Sequence, residues 1–229
     1  MLIAGLQKLT LLDYPGKTAC TLFTPGCNFR CPFCHNALLV TSPVTDFVSE
    51  GEFFAFLQKR KGILDGVCIT GGEPTLQKDI IPFMKKIRAM GFLLKLDTNG
   101  YRPDVLKAVL DEGLADYIAM DIKASPEKYA VTTGLADLDF SLIRESIDLI
   151  EKSGVSHEFR TTVTDDFHSE NDFEKILSLF SADTPYYLQQ FKDSGSLIDG
   201  NCLGWITERM RKLTEELKAS HGNVFLREG

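Results

Sequence analysis

Apolar positions along this chain recur with a period that switches back and forth between two residues and about 3.6, the signatures of strand and helix. The first alternating run, Lys17 to Thr24, is rich in β-formers and follows the turn signal Asp13-Tyr14-Pro15-Gly16, which predicts strand one. Ser49 and Glu52 form a capping-box pattern ahead of Phe53, Phe54, Phe56 and Leu57, a helical stripe that ends near Arg60. Gly66 to Thr70 reads as a short buried strand, and Ile80, Ile81, Phe83, Met84 and Ile87 then recur at helical spacing until Gly91, a C-cap. Strand three is Phe92 to Leu96. Pro103 opens a helix through Leu114, and Tyr117 to Met120 is strand four. A longer excursion, Ala124 to Leu138, precedes a helix from about Ser141 to Ser153 with the stripe Ile143, Ile147 and Ile150. Strand five is His157 to Val163, with Arg160 and Thr162 on the face opposite Phe159 and Thr161. A helix from Asn171 to Phe180, strand six from Tyr186 to Phe191, an amphipathic helix from Trp205 to Ala219 and a closing strand from Asn223 to Arg227 complete the pattern.

Strand and helix alternate six times without internal repeats, which predicts a parallel sheet with crossover helices. Such a sheet either curls into a partial barrel or lies flat and doubly wound. Polar residues decide between the two. They cluster directly after strands one to four and at the ends of strands five and six, the C-terminal rim on which barrel enzymes carry their chemistry. The expected fold is α/β, a partial (β/α)6 barrel in a single domain over residues 1–229, splayed on one side because six units fall short of eight.

Composition narrows the function. With 25 basic against 32 acidic residues the net charge is −7, which argues against a nucleic-acid binder that relies on phosphate attraction. Met1 to Gln7 is too short for a signal h-region, and no run approaches a membrane span, so a cytoplasmic protein without membrane partners is expected. In a reducing compartment the six cysteines are thiols or metal ligands. Cys20 and Cys68 sit in strand-like apolar runs and Cys202 follows Gly200-Asn201; these three read as structural.

Cys27, Cys31 and Cys34 share one loop, Cys27-Asn28-Phe29-Arg30-Cys31-Pro32-Phe33-Cys34-His35-Asn36. Gly26, Asn28 and Pro32 exclude regular structure there, so the C-x3-C-x2-C thiolates can wrap around one soft-metal centre. Three ligands are one short of a closed zinc site or an all-cysteine iron–sulfur site, and a cluster with one bare iron is open to a substrate. Other readings stand beside this one: zinc with His35 as a fourth ligand, a thioredoxin-like pair, or the C-x-x-C-H of c-type haem attachment. Haem attachment requires export, the redox pair leaves Cys27 unexplained, and Cys34 makes its neighbour His35 an awkward zinc ligand.

With Phe33 in the aromatic place and His35-Asn36 following, the loop resembles the cluster loop of radical S-adenosylmethionine (SAM) enzymes, specifically activases of glycyl-radical enzymes. The resemblance implies a [4Fe–4S] cluster on Cys27, Cys31 and Cys34 with SAM on the fourth iron. An electron from reduced flavodoxin or ferredoxin then cleaves SAM to methionine and a 5′-deoxyadenosyl radical. It also implies that His35 and Asn36 contact SAM and that Phe33 packs over its adenine side.

Gly71-Gly72-Glu73-Pro74, where two glycines admit a ligand close to the backbone, resembles the family's GGE motif, implied to hold the methionine amino group. Asp97-Thr98-Asn99-Gly100 alone reads as an Asx-type turn. Beside Asp121, however, it sets two carboxylates on one rim, and like charges so close need a cation, a lysine or a shared proton. The resemblance implies a monovalent cation held by Asp97, Thr98 and Asp121. Lys123 is implied to meet substrate or SAM, and Arg160 to pair with SAM's carboxylate, the plain alternative for Arg160 being a surface ion pair. Asn99 and Gln190 complete the implied cofactor contacts.

Where activases of pyruvate formate-lyase resemble one another in a histidine ending strand six, this chain reads Tyr187-Leu188-Gln189-Gln190-Phe191. That ending, an Asp13-Tyr14-Pro15-Gly16 entrance and the Lys123, Lys128-Tyr129 and Thr133-Gly134 segment look more like activating proteins of anaerobic ribonucleoside-triphosphate reductase. The implied partner is then that glycyl-radical enzyme, docking on the open side of the barrel. The alternatives are an activase of the pyruvate formate-lyase type, a small-molecule radical SAM enzyme such as a 7-carboxy-7-deazaguanine synthase, and a metal-binding module without SAM cleavage.

Overall fold

The computed structural model describes residues 1–193 and 195–228. Among the described residues eight strands form one sheet in strict sequence order: β1 (Gly5–Thr10), β2 (Ala19–Thr24), β3 (Gly66–Gly71), β4 (Leu93–Thr98), β5 (Tyr117–Asp121), β6 (Ser156–Val163), β7 (Tyr186–Gln190) and β8 (Val224–Arg227). β1 runs antiparallel to β2, and every later neighbour pair is parallel. A doubly wound sheet reverses its strand order at a switch point. This order never reverses, so every crossover carries the chain onward in the same direction across the sheet, as a curling barrel requires. Among the described residues β1 and β8 share no ladder, and the barrel stays partial.

The helices are α1 (Ala37–Thr41), α2 (Glu50–Gln58), α3 (Ile80–Ala89), α4 (Pro103–Asp111), α5 (Tyr129–Thr133), α6 (Phe140–Lys152), α7 (Glu170–Leu177) and α8 (Thr207–Lys218). The expected capping box forms, with Glu52 N–H donating to Ser49 Oγ at 3.2 Å and Ser49 N–H to Glu52 Oε2 at 3.0 Å. Ile143, Ile147 and Ile150 on α6 are fully buried, each stabilising the packed helix by about 1.5–3 kcal/mol relative to exposure. Along the strands Leu94, Leu96, Ile118, Met120, Phe159 and Leu188 bury one face against the helices. The opposite face, with Thr21, Lys95, Asp97, Asp121, Glu158 and Arg160, lines the barrel interior.

One difference from the sequence reading has a physical reason. β1, not expected as a strand, is an edge strand with a single neighbour, so it needs no strong alternation to form. The Asp13-Tyr14-Pro15-Gly16 segment forms the expected turn, with Lys17 N–H donating to Tyr14 O at 3.1 Å. Since Thr10 pairs with Ala19 at the start of β2, the link between them lies at the N-terminal end of the strands, away from the cysteine loop. There Tyr14 is 3% exposed, its ring centroid 6.1 Å from that of Tyr117, and it forms part of the barrel floor. No described helix is long and apolar enough to cross a membrane.

Candidate active site

The cysteine loop leaves β2 at its C-terminal end and is held mainly by its backbone. Gly26 N–H donates to Leu39 O (2.7 Å), Arg30 N–H to Thr133 O (2.7 Å), and Cys34 N–H to Cys31 O (3.0 Å). Next to it, Gly72 N–H donates to Thr24 O and Glu73 N–H to Gly26 O, both at 2.8 Å, while Asn36 Nδ2 donates to Gly71 O at 3.0 Å. The glycine pair therefore does admit a close approach, and what approaches is the cysteine loop: a Cβ on Gly72 would lie 1.9 Å from Gly26 O. An open cavity of about 400 Å³ lies against Cys27, Cys31, Cys34, Gly71, Gly72 and Glu73 and extends down to Asp97, Asp121, Lys123 and Arg160. That volume falls in the range of small-molecule sites.

The donor set fits an iron–sulfur cluster. All three thiols are free and border one cavity, and Cys27 Sγ accepts from Phe29 N–H (3.4 Å) and Asn99 Nδ2 (3.7 Å), bonds that favour a thiolate. Burial, with the charge of Glu73, pushes the Cys27 thiol up to about 11, and burial pushes Cys31 up to about 12. Metal entry must therefore displace protons. Among the described residues no three His, Cys, Asp or Glu side chains gather tightly enough to share one metal ion. A polynuclear cluster, whose cysteines bind different irons, does not need that convergence.

Glu73 is 1% exposed and serves as an internal tie. Its carboxylate accepts from Thr75 N–H (3.0 Å), Thr75 Oγ1 (2.6 Å), Thr98 Oγ1 (2.8 Å) and Asn99 N–H (2.7 Å). Burial raises its pKa against the pull of those donors. Thr98 is thus turned to Glu73. Of the three remedies for paired carboxylates, the chain supplies its own cations. Asp97 contacts Lys95 and Arg160 Nη2 (3.1 Å), and Asp121 contacts Arg160 Nε (2.5 Å) and Lys123 Nζ (2.8 Å). Lys95, Arg160 and Lys123 thus stand against the two carboxylates that the expected monovalent cation would share. Arg160 is no surface pair, its side chain being only 13% exposed.

His35 stacks on Phe191 with centroids 5.5 Å apart and its Nε2 lies 2.8 Å from Lys192 O; burial lowers its pKa. Phe33 borders the cavity and packs against Phe167 at 5.9 Å. Gln190 requires a correction. Its Nε2 donates to Thr207 Oγ1 (2.8 Å), which ties it to the start of α8, while Gln189, one residue earlier and opposite Thr162 in the ladder, borders the cavity. Strand alternation sends one glutamine to each face. Lys95 and Glu158, 2% and 1% exposed, were missed as well.

Burial works against all these charges, but Arg160, with Lys95 and Lys123, overcomes it and holds Asp97 and Asp121 below the ordinary carboxylate range. Depressed carboxylates contribute stability that is complete above their unfolded pKa of about 3.9 and lost as pH falls toward the folded value. The denaturation midpoint should therefore be level near neutrality and fall steeply below about pH 4. Chemical denaturation across that range checks this, and a midpoint level down to about pH 2 would remove these pairs from the account.

A family model for the radical SAM superfamily matches residues 21–180. The chain belongs to the radical SAM superfamily. That family uses a [4Fe–4S] cluster and S-adenosylmethionine, for which the three-thiol loop and the cavity are suited. The chain is 34% identical over 197 residues to the candidate glycyl-radical enzyme activating enzyme MJ1227 of Methanocaldococcus jannaschii, covering 83% of this chain and 80% of that one. It is 26% identical over 184 residues to the pyruvate formate-lyase-activating enzyme of Clostridium pasteurianum (77% and 75% covered). It is 27% identical over 174 residues to the 7-carboxy-7-deazaguanine synthase of Koribacter versatilis (72% and 70%). Its fold matches that of Streptococcus suis SuiB bound to its precursor peptide, with a TM-score of 0.72 at 12% identity over 90% of this chain and 48% of that one, so it spans about half of SuiB. The chain is thus a radical SAM enzyme homologous to glycyl-radical enzyme activating enzymes.

Proposed function

We propose that this chain installs the glycyl radical of an anaerobic ribonucleoside-triphosphate reductase, taking its electron from reduced flavodoxin or ferredoxin. The observation that carries the activase reading is the 34% identity to MJ1227 over 83% of this chain, alongside three cysteines of one loop bordering one cavity. The choice of reductase rests on Tyr187-Leu188-Gln189-Gln190-Phe191 and the Lys128-Tyr129 segment. When bound, the cluster and SAM supply a 5′-deoxyadenosyl radical able to take a hydrogen atom from a backbone glycine. The chain's residues hold and orient: Cys27, Cys31 and Cys34 as cluster ligands, Gly71, Gly72, Asn99 and Asn36 fixing the loop beside them, and Arg160 with Lys123 presenting cationic groups to the cavity. Phe33, packed against Phe167 after β6, and His35, stacked on Phe191 after β7, border the cavity with aromatic rings.

Electron paramagnetic resonance tests the proposal on the anaerobically reconstituted, reduced protein mixed with SAM and the reductase. A glycyl-radical doublet on the reductase, absent without SAM, is expected. Deoxyadenosine without that doublet would reject the reductase and point to another glycyl-radical enzyme or a small molecule.

A further inference from the structure

Arg160 borders the cavity with donors to spare. Its Nε goes to Asp121 and its Nη2 to Asp97, but among the described residues Nη1 makes no hydrogen bond. Glu158, two residues earlier and so on the same face of β6, holds its Oε1 3.9 Å from that Nη1, near enough to attract and too far to bond. What engages Glu158 is Arg227 of β8, whose Nη1 and Nη2 lie 3.2 and 3.3 Å from Oε1 and Oε2, helped by Tyr117 OH at 2.9 Å. Arg227 in turn has a fixed seat, 4.2 Å above the Tyr187 ring, which stacks on Phe225 at 5.2 Å. β8 lies outside the 21–180 segment that matches the superfamily.

We propose that Arg227 is a positioning residue for SAM: by engaging Glu158 it keeps the Nη1 edge of Arg160 available to a carboxylate. SAM carries one anionic group, its carboxylate, and a guanidinium edge is a matched, charge-assisted partner for it. This rests on the reading that Arg160 meets that carboxylate. Without Arg227, Glu158 is a buried acid lacking its main cation, and Arg160 Nη1 is within reach of a small side-chain rotation. The acid then competes with the ligand for the same donors.

Calorimetric titration of SAM into cluster-reconstituted protein under anaerobic conditions tests the inference, with thermal melting and the SAM-induced change in the reduced cluster's resonance spectrum alongside. Arg227→Gln should weaken SAM binding on the order of tenfold. Glu158→Gln should bind at least as tightly as the wild type, and the double variant should regain most of the lost affinity. Should Arg227→Gln not fold, Arg227→Lys, which keeps charge but not the two-point grip, is expected to weaken binding by less. A lower melting temperature with unchanged affinity, or a double variant as weak as Arg227→Gln, overturns the inference. Arg160→Gln with wild-type affinity overturns the reading beneath it as well, whereas weak Arg160→Gln beside unaffected Arg227→Gln overturns the inference alone.

Discussion

Single replacement of Cys27, Cys31 or Cys34 by alanine is expected to give a folded chain that retains little iron and cleaves no SAM. Three thiolates are all that the loop offers, and two cannot keep a cluster whose fourth iron is already left to the substrate. Folding should survive because the loop is held by backbone bonds, Gly26 to Leu39 and Arg30 to Thr133, which no thiol contributes to. The controls are Cys20→Ala, Cys68→Ala and Cys202→Ala. Each empties a buried site and costs some stability, yet none of these three thiols borders the cavity, so iron content should stay at the wild-type level. Iron and sulfide per chain, together with deoxyadenosine formed under reducing conditions, decide the matter. Turnover retained by any of the three loop variants would refute the cluster assignment.

How much of this site could be read from the chain depends on what kind of signal each residue leaves. The cysteine loop, Gly71-Gly72-Glu73 and Asp97 to Gly100 sit in short contiguous motifs after predicted strands, and the structure brings them to one rim as strand order requires. Alternation also placed Arg160 and Thr162 on a common face. It could not say which face encloses the cavity, because a polar face turned inward in a wide barrel has the same pattern as one turned to water. Lys95 and Glu158 were lost for that reason, and Gln190 was chosen where Gln189 faces inward. The partners of Asp97 and Asp121 are a different failure. Lys95 lies two residues from Asp97 and Lys123 two from Asp121, spacings that put each pair on one side, but Arg160 comes from β6 and only the folded sheet brings it between the two acids. The role of Arg227 is legible nowhere in the sequence, since it needs the register of β7 against β8 as well as the ring of Tyr187 beneath it.

Gly72→Ala is expected to displace the cysteine loop and, with it, the cluster. The added Cβ would lie 1.9 Å from Gly26 O and 2.6 Å from Gly26 C, and both atoms are backbone, so no side-chain rotation relieves the contact. The loop has to move away. Doing so strains the bonds from Gly72 N–H to Thr24 O and from Glu73 N–H to Gly26 O, and it pulls Asn36 from Gly71 O. Overpacking of this kind costs about 1–3 kcal/mol. The larger loss is in cluster occupancy, because Cys27 follows Gly26 directly. Gly26→Ala separates space from backbone conformation. Gly26 has φ +79°, which penalises a side chain by about 1–2 kcal/mol, but nothing lies within 4 Å of its would-be Cβ. Gly26→Ala should therefore lose stability with iron content largely kept, whereas Gly72→Ala should lose both. Melting temperature and iron per chain, measured on the two variants side by side, test this. Equal iron retention in both would mean that the glycine at 72 is not needed for the seating of the loop.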